Sequence, residues 1–157
     1  PANDAAGVSD LLTEQNVFGT DVFGSDETND GGTSISLPIY HDLPVGGTIN
    51  LCSSTFGGVY NGIGVTRFAT FEIENNGSYT VEATLTSSNG GRETDPDIII
   101  HQNDDVITQF ISTDIDNEGG SIALTAGSYV LEFYDNYNAN SGASGLACFD
   151  LSLMTGS

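Results

Sequence analysis

Hydrophobic and polar residues alternate with a period of two along most of this chain, from residue 34 onwards. Residues 78–86 show the pattern best, because Tyr79, Val81, Ala83 and Leu85 fall on one face and polar residues fall on the other. Three further segments alternate in the same way: 67–73, 128–134 and 146–154. A period of two is typical of half-buried β-strands, so these four segments are predicted to be strands.

Shorter apolar runs predict further strands between these four. The runs at 98–100 and 106–111 are typical of buried strands, and weaker strands are expected at 48–52 and 121–124. The segment 8–15 is the only candidate for a helix, and it is short.

Turn residues separate the predicted strands. Clusters of Gly, Asn and Asp occur, for example, at 75–77, 89–91 and 118–120. About eight short strands at this spacing predict an all-β fold, an antiparallel β-sandwich of jelly-roll-like type, which we assign to residues 34–157.

Residues 1–33 differ from the rest of the chain. They are small, polar and acidic, with apolar pairs at 11–12, 17–18 and 22–23. This composition predicts an extended N-terminal arm, and a linker from an upstream domain is the alternative. Because the sequence starts at Pro1 without a signal peptide, we interpret it as a mature or excised segment.

The charge balance narrows the possible partners. The chain has 157 residues, enough for one domain, and a formal net charge of −20 from 22 acidic and 2 basic residues. The two bases are Arg67 and Arg92, and there is no lysine. Without a basic patch, binding to nucleic acid or to an anionic membrane surface is excluded. No apolar run is long enough for a transmembrane helix, so no membrane insertion is expected.

Two cysteines and one sequon point to an exported protein. A single pair, Cys52 and Cys148, suits one disulfide in a secreted domain, and strand parity places both opposite the main apolar face of their strands. A bond between the first and last strands at a sheet edge would satisfy both positions, and two unpaired thiols are the alternative. Asn76 begins an Asn-Gly-Ser glycosylation sequon in a predicted turn.

Four motifs carry a family resemblance. In order, they are FATFEI at 68–73, GSYTV at 77–81, DPDIII at 95–100 and LTAGSYVL at 124–131. With these motifs, residues from about 45 to 154 resemble the bacterial pre-peptidase C-terminal domain family, which includes relatives of the clostridial collagen-binding domains. The resemblance implies a β-sandwich module that trails secreted proteases and other exported enzymes.

Paired acids suggest a calcium site. In the collagen-binding group that the chain resembles, calcium lies near the N-terminal arm and the sandwich loops, which directs attention to Asp95 and Asp97. Two carboxylates two residues apart in extended chain point the same way, and a hard cation with oxygen ligands would relieve their repulsion. The alternative is that Asp97 caps backbone N–H groups in the turn.

A second acidic segment, 114–119, resembles part of a calcium loop. Its candidate ligands are Asp114, Asp116 and Glu118, and a solvated acidic hairpin is the alternative. Further oxygens are available from other acids: Asp26, Glu27, Asp30 and Asp135.

Catalysis is not expected. The only histidines are His41 and His101, no nucleophile-elbow motif accompanies them, and structural roles are predicted for both. The prediction is therefore a non-catalytic, secreted or cell-surface module for extracellular binding or adhesion, with calcium as a cofactor. Its expected partners are an extracellular protein, a polysaccharide or copies of itself. The alternatives are a self-assembling filament subunit that adds its arm to a neighbour's sheet, and a C-terminal accessory domain of a secreted protease.

Overall fold

The chain folds into two packed β-sheets. The computed structural model describes residues 40–53, 66–139 and 145–156. In these ranges the strands are β1 (Tyr40–Asp42), β2 (Gly47–Cys52), β3 (Thr66–Ile73), β4 (Gly77–Ser88), β5 (Pro96–Gln102), β6 (Asp105–Phe110), β7 (Asn117–Leu124), β8 (Gly127–Asp135) and β9 (Ala147–Thr155). A 3₁₀ turn (Asn89–Gly91) follows β4, and a single helical turn, α1 (Asn136–Ala139), follows β8.

The predicted β-sandwich is confirmed. One sheet has the order β1-β3-β8-β5-β6 and the other has the order β2-β9-β4-β7. All strand pairs are antiparallel except β1 with β3. No helix in the described ranges is long and apolar enough to cross a membrane.

The core lies between the two sheets and follows the predicted alternation. In the five-stranded sheet, β3 and β8 direct Ala69, Phe71, Leu131 and Phe133 inward. In the four-stranded sheet, Val81, Ala83, Phe149, Leu151 and Leu153 face them. Phe133 and Phe149 meet edge to face across the interface with ring centroids 5.1 Å apart. Each fully buried side chain of this size stabilises the fold by about 1.5–3 kcal/mol.

The prediction of a buried strand at 106–111 is wrong. β6 occupies this segment, but it is the last strand of its sheet, and Val106 and Ile107 are 48% and 39% exposed. An apolar run shows that a strand is favoured, but the position of that strand in the sheet depends on pairing with distant residues. The three-residue strand β1 was not predicted from the sequence.

The glycines predicted as a turn at 118–120 lie inside β7 instead. Gly119 has a φ of +143°, and a side chain there would collide with the carbonyl oxygen of Val81 on the neighbouring β4. Glycine is therefore required at this position by the close approach of two strands. The predicted arm at 1–33 and the candidate helix at 8–15 lie outside the described residues.

Candidate functional site

The acidic residues of the DPD motif lie at the start of β5. Asp95 precedes the strand, and Pro96 and Asp97 are its first two residues. Because β5 pairs with the end of β8, Pro96 lies opposite Asp135 and Asp97 lies opposite Tyr134. The antiparallel pairing thus brings a third carboxylate, 38 positions further along the chain than Asp97, to the same end of the sheet.

Asp135 is the anchor of this cluster. Its side chain is fully buried and forms an ion pair with Arg92, with 2.7 Å between guanidinium nitrogen and carboxylate oxygen. It also accepts hydrogen bonds from the backbone N–H groups of Asp95 (3.0 Å) and Tyr137 (3.2 Å). Asp135 therefore fixes the entry of β5 and the first turn of α1.

Asp95 is held by the helical turn. Its Oδ2 accepts a hydrogen bond from the Asn136 side-chain amide at 3.0 Å, and its backbone carbonyl accepts one from the Asn136 N–H at 2.7 Å. The other carboxylate oxygen, Oδ1, is buried without a hydrogen-bond donor. Most buried carboxylate oxygens in proteins have a hydrogen-bond partner, so this one is unusual.

Asp97 is buried on the outward side of β5 beside Tyr134. Burial is the main cause that raises its pKa from 3.8 to about 7, and the negative charges of Asp95, Glu118 and Asp135 raise it further. A hydrogen bond with the Tyr134 side chain opposes this shift. Burial and the charge of Asp97 in turn raise the pKa of Tyr134 to about 12. Asp97 Oδ1 is also buried without a hydrogen-bond donor.

The predicted acidic loop at 114–119 is largely held by its own hydrogen bonds. Glu118 accepts bonds from the N–H and hydroxyl of Ser112, at 2.5 and 2.8 Å, and from the N–H of Gly119 at 2.8 Å. Asp116 has a φ of +71° and accepts a hydrogen bond from the Thr94 hydroxyl at 3.0 Å. This last contact ties the loop to the residue just before Asp95.

The structure brings some of the predicted metal ligands together and not others. Asp95, Asp97 and Glu118 are close enough to influence one pKa, whereas Asp114 lines a separate groove beside β4 and β7 together with Glu118. Within the described ranges, no group of three or more His, Cys, Asp or Glu side chains is arranged to hold a metal ion. Asp26, Glu27 and Asp30 lie outside those ranges.

The disulfide and the sequon lie away from this cluster. Cys52 and Cys148 are bonded and are directly opposite each other in the β2–β9 pair, as their number and parity predicted, although β2 is the second strand and not the first. Asn76 lies in the exposed turn before β4, where its side-chain oxygen accepts a hydrogen bond from the Ala126 N–H at 2.9 Å.

A polar groove lies on the outer face of the five-stranded sheet. It has a volume of about 400 Å³ and is lined mainly by β3, β5 and β8: Thr70, Glu72, His101, Gln102, Asn103, Ser128, Tyr129 and Val130. Two side-chain hydrogen bonds lie at this groove. The Ser128 hydroxyl donates to Glu72 at 2.5 Å, and His101 bonds with Glu132 at 2.9 Å. His41 lies on β1, beside Ala69 of β3.

The sequence did not predict that Arg92, Tyr134 and Asn136 contact the acidic cluster, although all three shape it. One signal could have revealed Arg92. In a chain with 22 acids and 2 bases, each arginine is a rare charge, and a buried carboxylate near it is the expected partner. Tyr134 and Asn136 carry no such signal, because only the pairing of β5 with β8 places them.

By sequence, the chain matches no protein-family model and no curated protein. By structure, it is similar to the pre-peptidase C-terminal domain of a collagenase from Bacillus anthracis, with a TM-score of 0.52 and 13% identity. That match covers 76% of this chain and 98% of the other. The likeness shows that the two chains share a fold, as the four sequence motifs predicted.

Two other solved structures are similar at lower TM-scores. A periplasmic inhibitor of g-type lysozyme from Aeromonas hydrophila has a TM-score of 0.42 and 15% identity, and the match covers 73% of this chain and 96% of that one. A surface-associated copper-binding protein from Methylomicrobium album BG8 has a TM-score of 0.45 and 8% identity, with 76% and 98% of the two chains covered.

Proposed function

We propose that this chain is a non-catalytic binding module of a secreted or cell-surface protein, of the pre-peptidase C-terminal type. Its ligand is an extracellular protein or polysaccharide. The fold likeness to the collagenase domain extends over almost all of that domain, which supports this type of module. The disulfide between β2 and β9 supports an oxidising, extracellular setting. A narrower version is an accessory domain of a secreted protease, and the same fold likeness supports it.

The binding proposal rests on the polar groove on the outer face of the five-stranded sheet. Thr70 and Ser128 offer hydroxyl groups, Gln102 an amide, and Glu72 and His101 a carboxylate and an imidazole. These groups supply both donors and acceptors on one rigid sheet, which suits the amides of an extended peptide or the hydroxyls of a glycan. Because most of the groove lies on strands, its geometry is held by the core beneath it.

Retention on insoluble ligands tests this binding. The full chain is incubated with fibrous protein and with several polysaccharide solids, and bound and free protein are separated by sedimentation. We expect retention on one class of solid, weakened about tenfold by the double variant Glu72→Ala/His101→Ala. Glu82→Ala is the matched control, because Glu82 is an exposed acid on the other sheet. Absence of retention on every solid, release of soluble fragments, or equal retention of all variants would contradict the proposal.

Calcium is the cofactor of the proposed module, held around Asp95 and Asp97. The support is the pair of buried carboxylate oxygens that lack donors, Asp95 Oδ1 and Asp97 Oδ1, together with the raised pKa of Asp97. Calcium prefers such oxygen ligands. It would neutralise the excess negative charge between the start of β5 and the acidic segment 114–119. The remaining ligands would be main-chain oxygens and waters.

Calorimetry with added calcium tests this site. Calcium at about a hundred times its dissociation constant should raise the melting temperature by about 5–10 °C beyond sodium chloride of equal ionic strength. Asp97→Asn should abolish the increment, whereas Asp105→Asn, an exposed acid on β6, should retain it. Equal effects of calcium and sodium would rule out a specific site while leaving the binding proposal to the retention experiment.

A further inference from the structure

Within the described residues, β6 is an edge strand of the five-stranded sheet. It ends the order β1-β3-β8-β5-β6, and in the described residues its only strand partner is β5. Natural edge strands usually carry lysine, proline or several charges that prevent another strand from pairing. The sequence of β6, DVITQF, has one charged residue, Asp105, and no proline. In the part of the chain that the structure describes, no strand pairs with its outer backbone groups, and the only irregularity is the bulge in its pairing with β5.

Exposed apolar side chains concentrate at the same edge. Of the six large hydrophobic side chains that are exposed in the described residues, Val106 and Ile107 lie on β6 and Ile111 directly follows it, at 48%, 39% and 52%, whereas Ile115, at 56%, lies two residues before β7. Val106 and Ile107 lie where the β5–β6 register shifts, because Thr108 pairs with Ile100 and Val106 with His101, which leaves Ile107 as the extra residue of a β-bulge. Single exposed hydrophobic residues are ordinary, but a cluster along a free edge marks a contact surface.

We propose that β6 binds residues 17–23 of a second copy of this chain as an added β-strand. This segment, VFGTDVF, contains no proline and one charge, Asp21. In extended form it presents Phe18 and Val22 on one side and Val17 and Phe23 on the other. Its apolar residues could contact the exposed Val106 and Ile107 of β6, while backbone hydrogen bonds supply the pairing.

The position of the arm allows a head-to-tail contact between copies. Residues 1–39 join the fold at Tyr40 in β1, and β1 is the opposite edge of the sheet from β6. With about 4.8 Å between neighbouring strands, the two edges are about 19 Å apart. Each molecule thus has the attachment point of its arm at one edge and an accepting strand at the other. Such a head-to-tail contact repeats from copy to copy and builds a chain of subunits.

Light scattering of the full chain tests the self-association. It is measured over a range of protein concentrations at an ionic strength of about 0.15 M, where the Debye length of about 8 Å screens the repulsion between acidic subunits. We expect the mass to rise with concentration, and Phe18→Asp or Ile107→Lys to weaken association about tenfold or more. Val45→Lys is the matched control, because Val45 is a similarly exposed residue in the turn before β2. Circular dichroism confirms that each variant is folded.

Cross-linking identifies the donor. Chains with Phe18→Cys are mixed with chains with Ile107→Cys under mild oxidation, while the native cysteines remain bonded to each other. Mixed covalent dimers are expected. A double Phe18→Cys/Ile107→Cys chain that closes only within itself would show that the arm binds its own β6 and would overturn the proposal. So would a chain that stays monomeric at every concentration, or oligomers that are insensitive to both edge and arm variants. Calcium and the groove are not involved, so these outcomes are independent of the proposed function.

Discussion

Arg92 connects three separate parts of the chain through one guanidinium group. It donates hydrogen bonds to the Gly145 carbonyl (2.8 Å), the Glu93 carbonyl (2.9 Å) and the Ser53 hydroxyl (3.0 Å). Its fourth partner is the buried carboxylate of Asp135 at 2.7 Å. The end of β2, the segment before β9 and the end of β8 are therefore held by a single planar side chain.

Replacement of Arg92 by glutamine should destabilise the fold strongly. The variant leaves the buried carboxylate of Asp135 without its counter-charge, and loss of one partner from a buried pair lowers the free energy of unfolding by about 3–5 kcal/mol. Urea denaturation measures this loss. The double variant Arg92→Gln/Asp135→Asn should recover part of it, because the unpaired charge is then absent. A loss below about 1 kcal/mol in the single variant would show that the ion pair is not structural.

The raised pKa of Asp97 makes the stability depend on pH. In the unfolded chain an aspartate has a pKa of about 3.9, whereas in the folded chain burial and the neighbouring acids raise the pKa of Asp97 to about 7. The folded state thus holds the proton more tightly than the unfolded state does. The contribution of Asp97 to the free energy of unfolding is complete below about pH 4 and is lost as the pH rises towards 7.

Asp97→Asn should therefore stabilise the protein at neutral pH and have much less effect in acid. The difference in melting temperature between variant and wild type should grow from pH 5 to pH 8, measured with a chelator present so that calcium does not contribute. Asp105→Asn, at an exposed position, is the matched comparison. Parallel pH profiles for wild type and Asp97→Asn would contradict the raised pKa.

Among the strands, β2 is joined to its neighbour by a covalent bond. It is an edge strand that pairs with β9 alone in the described residues, and the disulfide joins the two strands at the register pair Cys52 and Cys148. The bond spans 96 positions of the sequence, so it closes most of the sandwich into one loop. A long closed loop restricts the unfolded chain strongly.

The double variant Cys52→Ala/Cys148→Ala should lower the free energy of unfolding by up to about 4.7 kcal/mol, the value that chain entropy gives for a loop of about this length. Denaturation in urea of the oxidised protein, the reduced protein and the variant measures the effect. Reduced wild type and variant should unfold at similar urea concentrations, well below the oxidised form. An unchanged midpoint after reduction would show that the β2–β9 pair is stable without its bond.

The sequence shows which segments form strands better than it shows which strands pair with each other. β4 and β8 could be predicted, with their inward residues, because burial of one face leaves a period of two in the chain. The position of β6 at the edge of its sheet could not be predicted, because its apolar sequence is equally typical of a central strand. The same limit applies to the acidic cluster. Asp95 and Asp97 are visible as a motif, but Asp135 and Tyr134 reach them only through the β5–β8 pairing.

At the scale of the whole molecule, the only two basic residues of this acidic chain both contact the same end of β2. Arg67 is 2% exposed and donates a hydrogen bond to the Cys52 carbonyl at 2.8 Å, while Arg92 contacts the adjacent Ser53. Both arginines thus hold the same end of β2, beside the disulfide. With 22 acids and no lysine, the molecule repels itself and other acidic surfaces at low salt. Added sodium alone should relieve part of this repulsion, so the calcium experiment is compared at equal ionic strength.

Because both arginines are engaged within the fold, their position affects how the molecule resists extracellular proteases. Trypsin-like proteases need a lysine or arginine side chain in their specificity pocket. Residues 1–39 contain neither, and the two arginines of the chain are engaged inside the folded sandwich. Proteases of this specificity therefore have no bond to cleave in the arm, and they reach the domain only after it has unfolded.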